Sequence, residues 1–262
     1  MIMKKLKGFT LVLTGSLLLS ACSAKTQTQA EAASLSPLSI QDTTQLMMES
    51  LKSLDLDTFN EYSDNYVSTE RNWLGIPVRK EYQVFSELLQ PFPKKGKRYQ
   101  ANYRLTEKLM ENLTWEIKDV RTDNTTAKVD MEITNIDMAK ATGYYEISLM
   151  ESMLESEGMG IVQLIKDVSE ITRNTDGLIL AIEQLAAEDT HTARVTLSAC
   201  RENGHWRFEL NEDFINAFMG NINSQDYPDE INRRLNELYR QYEEKALSAA
   251  EQYEERLERL FE

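Results

Sequence analysis

The chain has 262 residues, 41% hydrophobic and 27% charged, and its 29 Lys+Arg against 43 Asp+Glu give a net charge of −14. That balance fits a globular protein able to bury one large core or two small ones, and it excludes a disordered chain and a multi-pass membrane protein. The acidity, together with the lack of an aromatic-interleaved Lys/Arg stripe, argues against nucleic acid as a partner, because phosphates repel such a surface.

Residues 1–21 fall into three zones: a basic start with Lys4, Lys5 and Lys7, an apolar run from Gly8 to Leu19, and the small residues Ser20 and Ala21 before Cys22. This is the order expected of a secretory signal peptide, and the apolar run is too short for a permanent transmembrane helix. Leu19-Ser20-Ala21-Cys22 resembles the lipobox of bacterial lipoproteins. The resemblance implies cleavage between Ala21 and Cys22, a diacylglycerol on the Cys22 thiol, and Cys22 as the first residue of the mature protein. Two or three acyl chains anchor a protein stably, at about 0.8 kcal/mol per buried methylene. The expected location is therefore the extracytoplasmic face of the cell membrane, with the membrane as a partner through Cys22. Removal of residues 1–21 takes away three lysines and no acid, so the mature chain is more acidic than its precursor. Once Cys22 is acylated, Cys200 stands alone and no intrachain disulfide is possible. Residues 22–38, rich in Ser, Ala, Thr and Gln from Ser23 to Ser36, read as a flexible tether.

The folded body is expected over 39–223. A helix is predicted from Ile40, with Leu46, Met47, Leu51 and Leu54 on adjacent turns and Asp42 or Thr43 as its cap. Leu54-Asp55-Leu56-Asp57 reads as a tight bend, with Asp57 capping a short helix that carries Phe59 and Tyr62. Two further helices are predicted, Arg79 to Leu89, stopping before Pro91 and Pro93, and Asn102 to Leu113. The period then changes to two. Trp115, Ile117 and Asp119 alternate with Glu116, Lys118 and Val120; past a turn at Thr122-Asp123-Asn124, Ala127, Val129, Met131 and Ile133 make one face, and Lys128, Asp130, Glu132 and Thr134 the other. A second hairpin pairs Ala193, Val195, Leu197 and Ala199 with Trp206, Phe208 and Leu210 across an Asn203-Gly204 turn. Four antiparallel strands are the minimum.

Between the hairpins, about 137–188, three helices are predicted as an insert: one with Met138, Tyr144, Ile147, Met150, Met153 and Leu154, a second with Ile161 to Ile171, a third with Leu178, Ile182 and Leu185. They are expected either to cover the inner face of the sheet or to form a methionine-lined groove that repacks around apolar partners. Residues 224–262 read as a long amphipathic helix from Pro228 to Leu260. Its apolar positions recur near every 3.6 residues, which suits a straight helix better than a coiled coil. At about 1.5 Å per residue it spans roughly 50 Å, enough to project towards a protein partner.

The helix–bend–helix start, the antiparallel sheet and the closing strand Gly204-His205-Trp206-Arg207-Phe208-Glu209-Leu210 resemble the NTF2-like (cystatin-like) superfamily of curved-sheet α+β domains. Thr134-Asn135-x-Asp137 and Asn211-Glu212-Asp213-Phe214 are similar to segments of uncharacterised Gram-positive lipoproteins carrying domains of unknown function. The likeness spans Ile40 to Gly220 and implies an α+β fold: N-terminal helices, a curved antiparallel sheet of at least four strands with a helical insert, and a long C-terminal helix. Members of the superfamily act as enzymes, ligand binders and assembly modules, so it implies no single activity.

The chemistry-bearing residues are few. His191 and His205 could face each other across the second hairpin, but no third ligand is spaced with them for zinc. Cys200 with either histidine could mimic a Cys–His pair, although by parity Cys200 leaves the apolar face. Asp55, Asp57, Asp119 and Asp130 are the acids to test for isomerase- or hydratase-like work, and only Asp119 shares a strand face with apolar neighbours, Trp115 and Ile117. No nucleophile elbow, phosphate loop or dinucleotide fingerprint occurs, so no cofactor is expected. Lys94, Lys95, Lys97 and Arg98, with Arg104, read either as a solvated loop or as a contact for anionic lipid or cell-wall polyanions, at about 1 kcal/mol per basic residue. The expected function is a non-enzymatic binding or assembly module of the envelope. The alternatives are a binder of an apolar molecule or peptide in a concavity lined by Met131, Met150, Met153 and Trp206, and an isomerase- or hydratase-like enzyme.

Overall fold

The computed structural model describes residues 38–91, 96–155, 175–222, 224 and 226–261. The predicted signal peptide, Ala21, Cys22 and the tether, Lys94 and Lys95, and the second predicted helix of the insert lie outside them.

Helix α1 (Ile40–Lys52) is capped by Ser39, whose side chain accepts from the Asp42 backbone N–H and donates to the Asp42 carboxylate. Ser39, rather than Asp42 or Thr43, is thus the cap. The helix ends with Leu54 in the left-handed region (φ 57°): the Asp55 N–H bonds the Ser50 carbonyl and the Leu54 N–H that of Leu51, the double bond that closes a helix C-terminus. Asp55, not Asp57, then caps α2 (Leu56–Tyr62), accepting from the Thr58 N–H and hydroxyl.

The predicted helix from Arg79 is corrected. Tyr66–Arg71 (β1) and Pro77–Tyr82 (β2) form an antiparallel hairpin, and the chain turns at Phe85 (φ 56°). Arg79, Lys80 and Glu81 favour a helix locally, yet they stand opposite Glu70, Thr69 and Ser68. Cross-strand pairing supplies what local propensity does not. Helix α3 (Lys97–Glu111) begins five residues earlier than expected.

The main sheet has the order β3 (Thr114–Asp123), β4 (Thr126–Ile136), β5 (Thr190–Glu202), β6 (His205–Glu209), all neighbours antiparallel. Ala127, Val129, Met131 and Ile133 of β4 and Val195, Leu197 and Ala199 of β5 are buried on one face as the alternation predicts. Against that face pack Met47, Met48 and Leu51 of α1, Phe59 of α2, Leu109 and Met110 of α3, and Phe214 and Phe218 of α6 (Glu212–Phe218). This is one contiguous core. The opposite face is polar, with Glu132 reached by Lys118 and Arg194, and Thr134 hydrogen-bonded to Thr192.

Of the described helices of the insert, α4 (Met138–Glu155) and α5 (Thr175–Glu183), Met138, Ala141 and Ile182 join the core, while the helices as a whole lie mainly on other helices rather than across the sheet. Helix α4 packs chiefly on α5 and on α7 (Asp229–Phe261), and α5 packs on α3. The junction is tight at Gly220 (φ 67°), where a Cβ would meet the Ile136 carbonyl oxygen at 2.0 Å while the Gly220 carbonyl accepts from the Met138 N–H. Asn135 and Asp137 are structural here: buried Asn135 donates to the Phe218 carbonyl, and Asp137 accepts from the Lys140 N–H in the first turn of α4. The architecture is α+β, with residues Leu38–Glu262 in one compact unit, an open four-stranded antiparallel sheet and a long C-terminal helix.

Candidate functional site

The hairpin β1–β2 is built from a polar base upward. Asp64 accepts from the Leu210 N–H (2.8 Å) and from the Gln83 amide (3.0 Å), tying the hairpin to the end of β6. Asn65, wholly buried, exchanges two bonds with Val84: its side-chain oxygen accepts from the Val84 N–H and its amide donates to the Val84 carbonyl. Each buried polar atom has its partner, and Val84 and Phe85 add packing against the core, so the base is fixed. Burial raises the Asp64 carboxyl above the ordinary 3.8, while the Leu210 N–H opposes that rise. On the outer edge of β2 the Gln90 side chain imitates a strand, its oxygen accepting from the Lys80 N–H and its amide donating to the Lys80 carbonyl. Register shifts at Val67 and Val78 twist the ribbon. Charged pairs and bulges of this kind discourage further strand pairing at an edge.

The tip is equally ordered. The Asn72 side-chain oxygen accepts from the N–H groups of Leu74 and Ile76, its backbone N–H bonds the Ile76 carbonyl, and Gly75 takes φ 77°. Arg71 folds back to donate to the Gly75 carbonyl at 2.8 Å. What this loop presents is apolar: Trp73 is 90% exposed and Leu74 59%, with Ile76, Val78 and Val67 also exposed. Large apolar side chains clustered in the open on an ordered element mark a contact site.

The sequence-predicted residues lie elsewhere. Asp119 is corrected. A register shift between Ile117 and Asp119 inserts Lys118 as an extra residue, so Val120 takes the inward position opposite Val129, and Asp119 turns outward opposite Asp130. Arg121 reaches both acids, and Thr196 donates to Asp130 at 2.6 Å. These contacts hold the Asp130 carboxyl below its usual range, the Thr196 hydroxyl foremost. Asp55 is lowered by the Thr58 hydroxyl it caps, and Asp57 is exposed in the first turn of α2. His191 and His205 are also not opposite each other. His191 pairs with Asn135 and His205 with Glu202, near the two ends of β5, roughly 35 Å apart along an extended strand. Cys200 stands opposite Arg207, its thiol 3.7 Å from a Glu202 oxygen. Among the described residues no three His, Cys, Asp or Glu are grouped to hold a metal ion, and no helix is long and apolar enough to cross a membrane.

Met131 and Trp206 are core residues of the sheet, with Arg201 over the Trp206 ring, whereas Met150 and Met153 belong to α4. The four residues thus divide between the sheet and the insert. Of the basic cluster, Arg98 pairs with Glu87 and Arg104 with Asp176, while Lys97 is exposed at the start of α3. An open groove of about 880 Å³ runs between α3, α5 and the end of α1, lined by Leu54, Tyr103, Ile179 and Leu180 among charged side chains that include Lys108 and Glu111.

The site that sequence reasoning passed over is the hairpin. Its signal was present: Asn72 and Gly75 bracket a turn, with β-branched Val67, Thr69, Ile76 and Val78 on either side. No known family matches the chain, and neither a curated protein nor a solved structure is significantly similar to it.

Proposed function

We propose that this chain is a lipid-anchored lipoprotein on the extracytoplasmic face of the cell membrane, and that it acts there as a binding or assembly module rather than as an enzyme. One observation carries the binding role: the β1–β2 hairpin holds Trp73, Leu74 and Ile76 in the open on a base fixed by Asp64, Asn65 and Gln83. A loop that orders its own backbone keeps that apolar tip ready for a contact at little entropic cost. The candidate acids offer no comparable support for chemistry, since Asp55 caps a helix and Asp119 and Asp130 share Arg121. The NTF2-like reading of the body rests on the sequence resemblance alone. The anchoring role rests on the lipobox-like Leu19-Ser20-Ala21-Cys22. A second reading, an apolar peptide as ligand, draws on the groove lined by Leu54, Tyr103, Ile179 and Leu180, where an amphipathic segment could lay its apolar side.

Metabolic labelling with palmitate tests the anchor. The wild type should be labelled and sediment with membranes, and Cys22→Ala should be unlabelled, either released or left as uncleaved precursor. Wild-type labelling of that variant would end the lipoprotein reading. A photo-crosslinker at position 73 tests the contact, with position 128 on the polar sheet face as control. Equal yields from both positions remove the hairpin as a contact element.

A further inference from the structure

The hairpin tip has a composition of its own. From Arg71 to Lys80 the sequence Arg-Asn-Trp-Leu-Gly-Ile-Pro-Val-Arg-Lys holds three cations and no acid, in a chain with 43 acids. Two acids flank this stretch, Glu70 level with Arg79 and Glu81 one step beyond Lys80, so the three cations still outnumber them. The apolar part is a convex turn of four residues, Trp73 to Ile76, with Trp73 at its most exposed point. A protein partner of ordinary size covers about 800 Å² on each side of an interface, more than such a turn provides. A lipid surface asks for less. It admits a convex wedge, favours tryptophan at the boundary between headgroups and acyl chains, and attracts cations held just behind the wedge when its headgroups are anionic. The charge pattern completes the argument, because an acidic body is repelled by anionic lipid everywhere except where local cations outnumber acids.

We infer that the β1–β2 hairpin is a lipid-docking finger: Trp73, Leu74 and Ile76 enter the interfacial layer of an anionic bilayer while Arg71, Arg79 and Lys80 meet its headgroups. This deepens the reading of the hairpin as a contact element and names its partner. A lipid on Cys22 would keep the body beside the bilayer, where a finger of modest affinity is enough to set its orientation. Arg71 contributes through its bond to the Gly75 carbonyl, which keeps its charge next to the apolar tip.

The test uses the mature chain from position 22 with Cys22→Ser, so that no acyl chain is present and the finger acts alone. It is mixed with vesicles of phosphatidylcholine alone or of phosphatidylcholine with phosphatidylglycerol. Co-flotation with the anionic vesicles and a blue shift of tryptophan emission are expected. The chain has three tryptophans, Trp206 buried and Trp115 half-buried with its indole N–H bonded to Gln45, so the shift is assigned to Trp73 by its loss in Trp73→Phe. Trp73→Ala should lower the partition coefficient roughly tenfold, and Arg79→Gln or Lys80→Gln about fivefold each. All three variants should keep the wild-type melt, because none of these side chains belongs to the core. The inference is overturned if the chain stays in solution with anionic vesicles at low salt, or if Trp73→Ala partitions as the wild type does. A protein adduct at position 73 in cells would also overturn it while leaving a binding module in place. Failure of palmitate labelling at Cys22, by contrast, would remove the anchor and leave the vesicle result untouched.

Discussion

Where α1, α2, α3 and α6 meet the sheet, contact is made by Met47, Met48, Leu51, Phe59, Met110, Phe214 and Phe218, all within a few per cent of full burial. Where α4 meets α7 the contact is of another kind. Ile231, Leu235 and Leu238 are buried there, but polar groups surround them: Arg234 pairs with Glu151, Tyr239 donates to Glu146, and the Lys245 ammonium donates to the Leu154 carbonyl. Contacts of Lys140 with Glu230 and of Leu154 with Lys245 ascend together, so the two helices run side by side in one direction. Burial and the Glu146 carboxylate push the Tyr227 and Tyr239 hydroxyls well above their usual range. Each large side chain in the sheet core contributes about 1.5–3 kcal/mol. An exposed ion pair in the seam contributes about 0–1 kcal/mol. With far more buried apolar side chains than the seam's Ile231, Leu235 and Leu238, the sheet core contributes most to global stability, while the seam sets where α7 lies. Among the described residues of α7 the last buried one is Leu238, and Leu247 is 61% exposed.

The contrast can be broken most forcefully in the core. Phe208→Ala removes a fully buried ring beneath the helices and should cost about 3–5 kcal/mol, read as loss of a single cooperative transition in urea. A substitution in the seam should act locally. A Cβ at Gly143 would stand 2.7 Å from an Ile231 methyl. Gly143→Ala should cost about 1–2 kcal/mol and speed amide exchange in α7 while leaving β4 and β5 protected. Equal acceleration in the strands would mean that seam and core unfold as one unit.

The smallest effect sharpens the electrostatic side. Asp189 bonds Lys140 at 2.7 Å and accepts from the Ala186 N–H, and these hold its carboxyl below the ordinary 3.8, the Lys140 bond foremost. Its folded pKa is depressed, so its contribution is present above pH 3.8 and is lost as pH falls through the folded value. Asp189→Asn should be less stable by about 1 kcal/mol at neutral pH and should lose less than the wild type on acidification. Parallel acid titrations of stability for the two proteins would make the check.

Much of the sheet was legible because period-two patterns are strong when one face is dry. Val129, Met131 and Ile133 against Lys128, Asp130 and Glu132 could only be a half-buried strand, and Asn203 (φ 52°) with Gly204 (φ 88°) makes the turn that Asn-Gly announces. The β1–β2 hairpin was not legible by the same rule, since neither of its faces is dry and its central pairs are polar. The candidate site was lost with it. Asp119 was misread because a bulge changes strand parity without leaving a mark in the alternation around it.

The sequence by itself determined the α+β class, the sheet's two hairpins and the span of the C-terminal helix, because each is written in local periodicity or in a short turn motif. Tertiary structure alone decided which helices roof the sheet, that α4 takes the first half of α7 as its partner, that Asp119 faces out, and that Trp73 stands in the open. Those outcomes depend on contacts between residues far apart in the chain, where one inserted lysine or one buried asparagine redirects a strand that local preference leaves free.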